Sequence, residues 1–263
     1  MLLALDIGNT NIKIGVYSDE PGDDPYTPAA SWRINTERGR TADEYGLMMS
    51  NMLPTRGLDA RDVAAVAMCS GVPSLTAAFV EVSESYFKQS PLVVGAGVKT
   101  GIKILYDNPR DVGADRIVDA AAALTLYGGP AIVVDFGTGT VFDATTEDGE
   151  YLGGAIAPGI HVAAGALYQA ASQLRHVELE RPSSTIGRNT IHALQSGLVL
   201  GYAEMVKGMV ARFDRELGGG SKVIATGGPA HLIAEETGIF DVVNDNLTMA
   251  GLKIIHEMNM PGR

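Results

Sequence analysis

Apolar and polar positions recur along this chain in two similar blocks, each opening with a short apolar run that ends in an aspartate. Leu3-Ala4-Leu5-Asp6-Ile7-Gly8-Asn9-Thr10 and Val133-Val134-Asp135-Phe136-Gly137-Thr138-Gly139-Thr140 share this design. A second strand pattern follows each (Asn11 to Tyr17; Thr140 to Thr146), so both blocks read as β-hairpins. Beyond each hairpin the period lengthens to that of helices alternating with short apolar strands. Thr41-Ala42-Asp43-Glu44 has the form of a capping box before a helix running to about Leu53. Val63 to Ser70 reads as a strand, Ser74 to Lys88 as a helix and Pro91 to Val94 as a strand. In the second block Ile160 to Leu174 and Thr190 to Leu217 read as helices, Lys222 to Ala225 as a strand, and Pro229 to Thr237 and Leu247 to Met258 as helices. The pattern predicts an α/β protein of two related halves, 1–117 and 118–263, with mixed sheets flanked by helices and Arg116 to Leu126 bridging them. Asp19 to Pro28 is a polar excursion from the first hairpin.

Composition narrows the functional classes. With 263 residues and 46% hydrophobic content the chain can bury a substantial core. Its net charge of -11 repels nucleic acid phosphates and anionic lipid, and no dense Lys/Arg cluster offsets this. The single cysteine, Cys69, permits no intrachain disulfide and no cysteine metal cluster, which fits a reducing cytoplasm. No run of about twenty apolar residues is available to span a bilayer. The start, Met1 to Leu5 followed by Asp6, lacks the features of a signal peptide.

An aspartate closing a strand before a Gly-polar turn can hold backbone N–H groups toward an anion. Alone, either turn is more simply an ordinary hairpin whose aspartate bonds its own backbone; the duplication is what favours the anion reading. Two such turns on one polyphosphate would place Asp6 and Asp135 where a hydrated Mg²⁺ needs oxygen ligands. Between the blocks, Tyr106-Asp107-Asn108-Pro109-Arg110-Asp111-Val112-Gly113-Ala114-Asp115-Arg116 concentrates charge at a helix start. Asp115 and Arg116 suit a general base and an anion anchor for phosphoryl transfer, and equally a helix cap and a surface ion pair. Three further segments are glycine-rich turns: Gly153 to Gly159, Gly187-Arg188-Asn189-Thr190 and Thr226-Gly227-Gly228-Pro229. Gly95 to Gly101 has the wrong spacing and sequel for a dinucleotide fingerprint, and Gly218 to Lys222 leads into a strand, unlike a Walker loop. The five histidines show no paired metal spacing. Met48, Met49, Met52, Met205 and Met209 fall at helical spacing and read as packing residues.

Taken together and in order, Asp6 to Lys13, Gly113 to Arg116, Asp135 to Thr138, Gly153 to Gly159, Gly187 to Thr190 and Thr226 to Gly228 resemble the motifs of type III pantothenate kinases, from Leu2 to about Ile255. The resemblance implies two duplicated actin/Hsp70-like (ribonuclease H-like) domains with an ATP cleft between them. It implies that Asp6, Ile7, Gly8, Asn9, Thr10, Asn11, Ile12 and Lys13 form the first phosphate loop, and that Thr138 touches ATP. It further implies that Asp135 binds an activating monovalent cation (K⁺ or NH₄⁺) and that Tyr106, Gly113, Ala114, Asp115 and Arg116 line the pantothenate site. In that site Asp115 would be the base and Arg116 the carboxylate anchor. Thr190 would reach the neighbouring subunit's substrate in a homodimer whose acceptor pocket lies at the interface. One departure from the family pattern stands out: Gly139 and Val141 replace residues of the second turn, with Gly139 expected to loosen it and Val141 to remove a hydroxyl. A kinase of the same fold acting on another hydroxylated acid or sugar, a nucleotide-binding scaffold without turnover and a polyphosphate phosphohydrolase are the competing readings.

Overall fold

A computed structural model describes residues 1–18, 24–171 and 174–260. Two compact units are present, one comprising Met1–Ile102, Asp107–Thr125 and Asn246–Arg263, the other Lys103–Tyr106 and Leu126–Asp245.

The first unit is built on a sheet of order β3-β2-β1-β4-β5, formed by β1 (Leu2–Ile7), β2 (Asn11–Tyr17), β3 (Ala30–Asn35), β4 (Ala65–Ser70) and β5 (Leu92–Val93). β1 is antiparallel to β2 and parallel to β4. Side-chain alternation sends Leu3, Leu5 and Ile7 to one face, where they pack with Tyr45, Met49, Leu75, Phe79 and Val82 of α1 (Ala42–Met52) and α2 (Pro73–Tyr86). Leu2 and Ala4 face the other way, against α3 (Ala114–Tyr127) and α8 (Leu247–Met258), with Ala67, Cys69, Val118, Ala121, Met249 and Leu252. Asp6 lies on this second face by the same alternation. The capping box at Thr41 and Glu44 forms as expected.

The second unit repeats the plan. Its sheet has the order β11-β10-β7-β8-β9-β6, with β6 (Lys103–Ile104), β7 (Ala131–Phe136), β8 (Gly139–Thr145), β9 (Glu150–Pro158), β10 (Lys222–Gly227) and β11 (Val242–Val243). β7 is antiparallel to β8 and parallel to β10, the pairing that β1 makes with β2 and β4. The burial pattern along β7 matches that along β1, and the pattern along β8 matches β2. Ile132, Val134 and Phe136 pack with Tyr202, Val206, Val210 and Ile233. Those residues belong to α6 (Gly201–Glu216) and α7 (Ala230–Thr237). The remaining helices are α4 (Ile160–Ala170) and α5 (Thr190–Gln195); α5 continues into α6 through a π turn at Ser196–Leu200.

Several expectations are revised. The compact units are not the contiguous halves 1–117 and 118–263. Helix α3 stays with the first unit through Thr125 and the chain returns to it at Asn246, because the apolar faces of α3 and α8 cover the same side of its sheet. Lys103–Tyr106 joins the second unit because β6 pairs with β9. Gly153 to Pro158 is not a turn but the second half of β9, a strand whose small residues mask its alternation. β3, which the sequence reading leaves unassigned, completes the first meander. Of the polar excursion, 19–23 lie outside the described residues, and Asp24 closes an Asx turn onto Tyr26 N–H at 2.9 Å and Thr27 Oγ1 at 2.7 Å. The helix expected over Ile160 to Leu174 ends at Ala170, and 172–173 also lie outside the described residues.

Helices α3 and α8 meet at Gly251, where a Cβ would collide with the Val118 carbonyl oxygen and approach Val118 Cγ1 to 2.6 Å. Gly251→Ala is therefore expected to destabilise the first unit by about 1–3 kcal/mol through overpacking. Urea unfolding measures this, and an unchanged midpoint would show that the helices separate freely.

Candidate active site

In the first unit, the turn after β1 closes with Gly8 N–H donating to Asn11 O at 3.0 Å. The loop after β3 is stitched to it, since Thr36 Oγ1 donates to Gly8 O at 2.7 Å and Thr36 N–H to Thr10 O at 3.0 Å. Asp6 ends the apolar strand with Lys13 directly across on β2 and Cys69 across on β4. Cys69 Sγ lies 3.7 Å from Asp6 Oδ1. Loss of water pushes the Asp6 carboxyl above its ordinary value, Lys13 opposes the rise, and the charge of Asp115 adds to it. The same burial, with the neighbouring carboxylates Asp6, Asp115 and Asp119, holds the Cys69 thiol well above its usual range.

Asp115 enters this cluster from the first turn of α3. Its Oδ1 accepts the Arg116 backbone N–H at 2.9 Å, as an N-terminal carboxylate does. Its Oδ2 faces the loop between β4 and α2, where a Cβ added at Gly71 would stand 3.9 Å from that oxygen and 3.8 Å from Asn9 Nδ2. The capping role and the availability of a basic oxygen thus coexist in one side chain. Asn9 is oriented by Arg38, whose Nη2 donates to Asn9 Oδ1 at 2.9 Å, so that Asn9 Nδ2 reaches toward Gly71 O at 3.5 Å. Gly113 lies against Asp115 Oδ1, with no room for a side chain. Ala114 packs on the core beside Cys69, and Arg116 is half-buried one residue further along α3. Of the expected phosphate-loop residues, Ile7 and Ile12 turn their side chains into the core, leaving only backbone at the turn. Asn9 and Thr10 are exposed.

In the second unit the equivalent turn is one residue shorter, with Gly137 N–H donating to Gly139 O at 3.0 Å. Gly139 does not loosen it: it is the first residue of β8, paired with Pro158, and a Cβ there would meet Ala157 O at 3.3 Å. Val141 lies across from Asp135, the place Lys13 holds opposite Asp6. On the other side Asp135 pairs in register with Thr226, whose fully buried Oγ1 has no hydrogen-bond partner among the described residues. In-register parallel residues share a face, so a carboxylate and an unsatisfied hydroxyl lie together there. This all-oxygen pair suits a hard cation. Gly227 follows at φ +94°, with its backbone against Asp135. Thr138 is exposed and its carbonyl accepts Gly159 N–H at 3.0 Å.

Tyr106 lies in the second unit, its ring over Gly153, where φ is +123° and a Cβ would come within 3.1 Å of the ring. Tyr151, held by a 2.6 Å bond to buried Asp143, backs it with ring centroids 6.4 Å apart. Thr190 is exposed at the start of α5, capped by Asn189, which accepts His192 N–H at 2.9 Å. Sequence reasoning missed Gly71, Asp119 and Arg38 as site neighbours, and read Thr226 only as part of a glycine-rich turn. Only the Gly71-Val72-Pro73 step after an apolar strand carried a signal that could have found one of them.

Residues 2–212 match the family model for type III pantothenate kinase. A protein of that name from Roseiflexus sp. (strain RS-1) is 51% identical over 98% of this chain and 99% of its own length. Another, from Moorella thermoacetica, is 48% identical over 98% of this chain and its whole length. Among solved structures, component A of the (R)-2-hydroxyglutaryl-CoA dehydratase of Acidaminococcus fermentans is 15% identical, with a TM-score of 0.54 over 97% of this chain and 95% of the other. That likeness concerns the fold alone, which is the actin/Hsp70/sugar-kinase arrangement of paired mixed sheets.

Because the folded-state value of Asp6 is raised, the folded protein binds the extra proton more tightly than the unfolded chain. Stability from this group is present below the ordinary value of 3.8 and is lost as pH rises through the raised one. Asp6→Asn, which cannot ionise, is therefore expected to be more stable than the wild type at pH 7, the advantage shrinking as pH falls toward 3.8. Thermal melts across that range test the sign, and a less stable variant at pH 7 would contradict it.

Proposed function

The chain belongs to the type III pantothenate kinase family, and from that membership we propose that it transfers the γ-phosphoryl group of ATP to the primary hydroxyl of pantothenate. The product is 4'-phosphopantothenate, and the reaction opens coenzyme A biosynthesis. The observation that carries the mechanism is the Asp115 carboxylate, with Oδ1 tied to its own helix and Oδ2 open toward Asn9 and Gly71.

Asp115 takes the proton of the attacking hydroxyl. In a loose transition state that proton leaves late, so positioning matters more than basicity. Arg116 holds the far carboxylate of pantothenate, a planar and permanently charged partner for a planar acceptor. Tyr106, Gly113 and Ala114 line the acceptor. The turn Asp6 to Lys13, Thr138 and the turn rooted at Asp135 bind ATP, whose charge Lys13 also meets. Mg²⁺ beside Asp6 and Asp135 would neutralise charge on the phosphates. The Asp135 carboxylate and the Thr226 hydroxyl beside it form an all-oxygen pair suited to a monovalent cation, K⁺ or NH₄⁺.

A homodimer with the acceptor pocket at its interface, reached by the partner's Thr190, is part of the same reading. Its support is the exposed apolar set Leu152, Ile156, Val162, Ile186 and Ile191 on the second unit, with Ile186 81% exposed. A monomer by sedimentation at assay concentration would remove this element.

Mass-spectrometric detection of phosphopantothenate from pantothenate, ATP, Mg²⁺ and a potassium salt tests the reaction. Asp115→Asn should lower kcat by about 10²–10⁴-fold with ATP affinity nearly unchanged, and undiminished turnover would exclude it as the base. Arg116→Ala should chiefly raise the KM for pantothenate; an effect confined to ATP would contradict its role.

A further inference from the structure

Arg38 belongs to none of the motifs above, yet it touches the first turn directly. Its Nη2 donates to Asn9 Oδ1 at 2.9 Å, and among the described residues no carboxylate pairs with its guanidinium, in a chain carrying 31 acidic residues. The side chain is exposed, with most of its donors unspent.

The stem from which it springs is held on both sides. Thr36 is bonded through its N–H and hydroxyl to the turn itself. Glu37 is clamped at both backbone groups by the Tyr45 hydroxyl, which accepts Glu37 N–H at 3.0 Å and donates to Glu37 O at 2.9 Å. The Tyr45 ring is wholly buried against Phe79, centroids 4.8 Å apart, and the Arg40 guanidinium covers it at 5.9 Å. The arm therefore needs little ordering to act. Asn9, which it grips, reaches toward Gly71, where an added Cβ would stand 3.9 Å from Asp115 Oδ2. The transferring group must lie at that end of the turn, beside the base.

We propose that Arg38 is a phosphate ligand of this site, donating from its free N–H groups to the terminal phosphoryl oxygens of ATP while its bond to Asn9 fixes the amide on the same group. This rests on reading Asp6 to Lys13 as a phosphate-binding turn. Charge-assisted bonds of this kind stabilise a transferring phosphoryl group as its charge spreads in the transition state.

Calorimetric titration of the full chain with Mg·ATP, Mg·ADP and AMP separates this role from a structural one. Arg38→Ala should weaken ATP binding about 10- to 100-fold, ADP less and AMP not at all. The melting temperature should stay unchanged, and added guanidinium ion should partly restore kcat. Arg38→Lys should retain part of the ATP affinity. ATP affinity within twofold of wild type, or equal losses for ATP and AMP, would overturn the proposal. If the wild type binds ATP but forms no phosphopantothenate, the acceptor reading fails while the ATP-against-AMP comparison still judges Arg38.

Discussion

A half-buried carboxylate at the carboxyl end of β1 is the feature around which the first unit is arranged. Leu2 to Leu5 are each buried, and every large apolar side chain so buried contributes on the order of 2 kcal/mol. That apolar strand can hold Asp6 against its own desolvation, with Lys13 across the ladder offsetting part of the cost. The same alternation that sends Leu3, Leu5 and Ile7 into one core points Asp6 at α3, and so at Asp115. Asp6 could not move to the other face without turning the whole strand over.

The duplicated second unit shows what has diverged on a shared frame. Asp6 and Asp135 occupy equivalent places, but the neighbours differ: Lys13 and Cys69 flank the first, Val141 and Thr226 the second. One carboxylate has a covalently attached cation beside it. The other has Val141 on one side and, on the other, the Thr226 hydroxyl, which has no hydrogen-bond partner among the described residues. Repetition of the fold thus yields two aspartate-rooted turns with unlike electrostatic surroundings.

Much of this was legible in the sequence, for particular reasons. Both hairpins could be read because an aspartate after an apolar run followed by Gly-polar residues is a local pattern, and the capping box at Thr41 is equally local. β9 was hidden because Gly153, Gly154, Ala155 and Ala157 give no apolar alternation, although Gly153 is small for the sake of the Tyr106 ring. The unit boundary was hidden because α8 returns across more than a hundred residues to pack beside α3. Gly71 and Arg38 are brought to the site by strand order and by the stitching of Thr36 to the turn, and neither has a signature of its own. Gly139 was misjudged because the consequence of a glycine depends on pairing that one strand alone does not reveal.

The most direct test of the assigned chemistry is a crystal structure with a non-hydrolysable ATP analogue and pantothenate bound together. The primary hydroxyl is expected within hydrogen-bond reach of Asp115 Oδ2, about 2.6–3.2 Å, with the terminal phosphate over Asn9 and Gly71. A hydroxyl held by another group, with Asp115 turned only to its own helix, would contradict it.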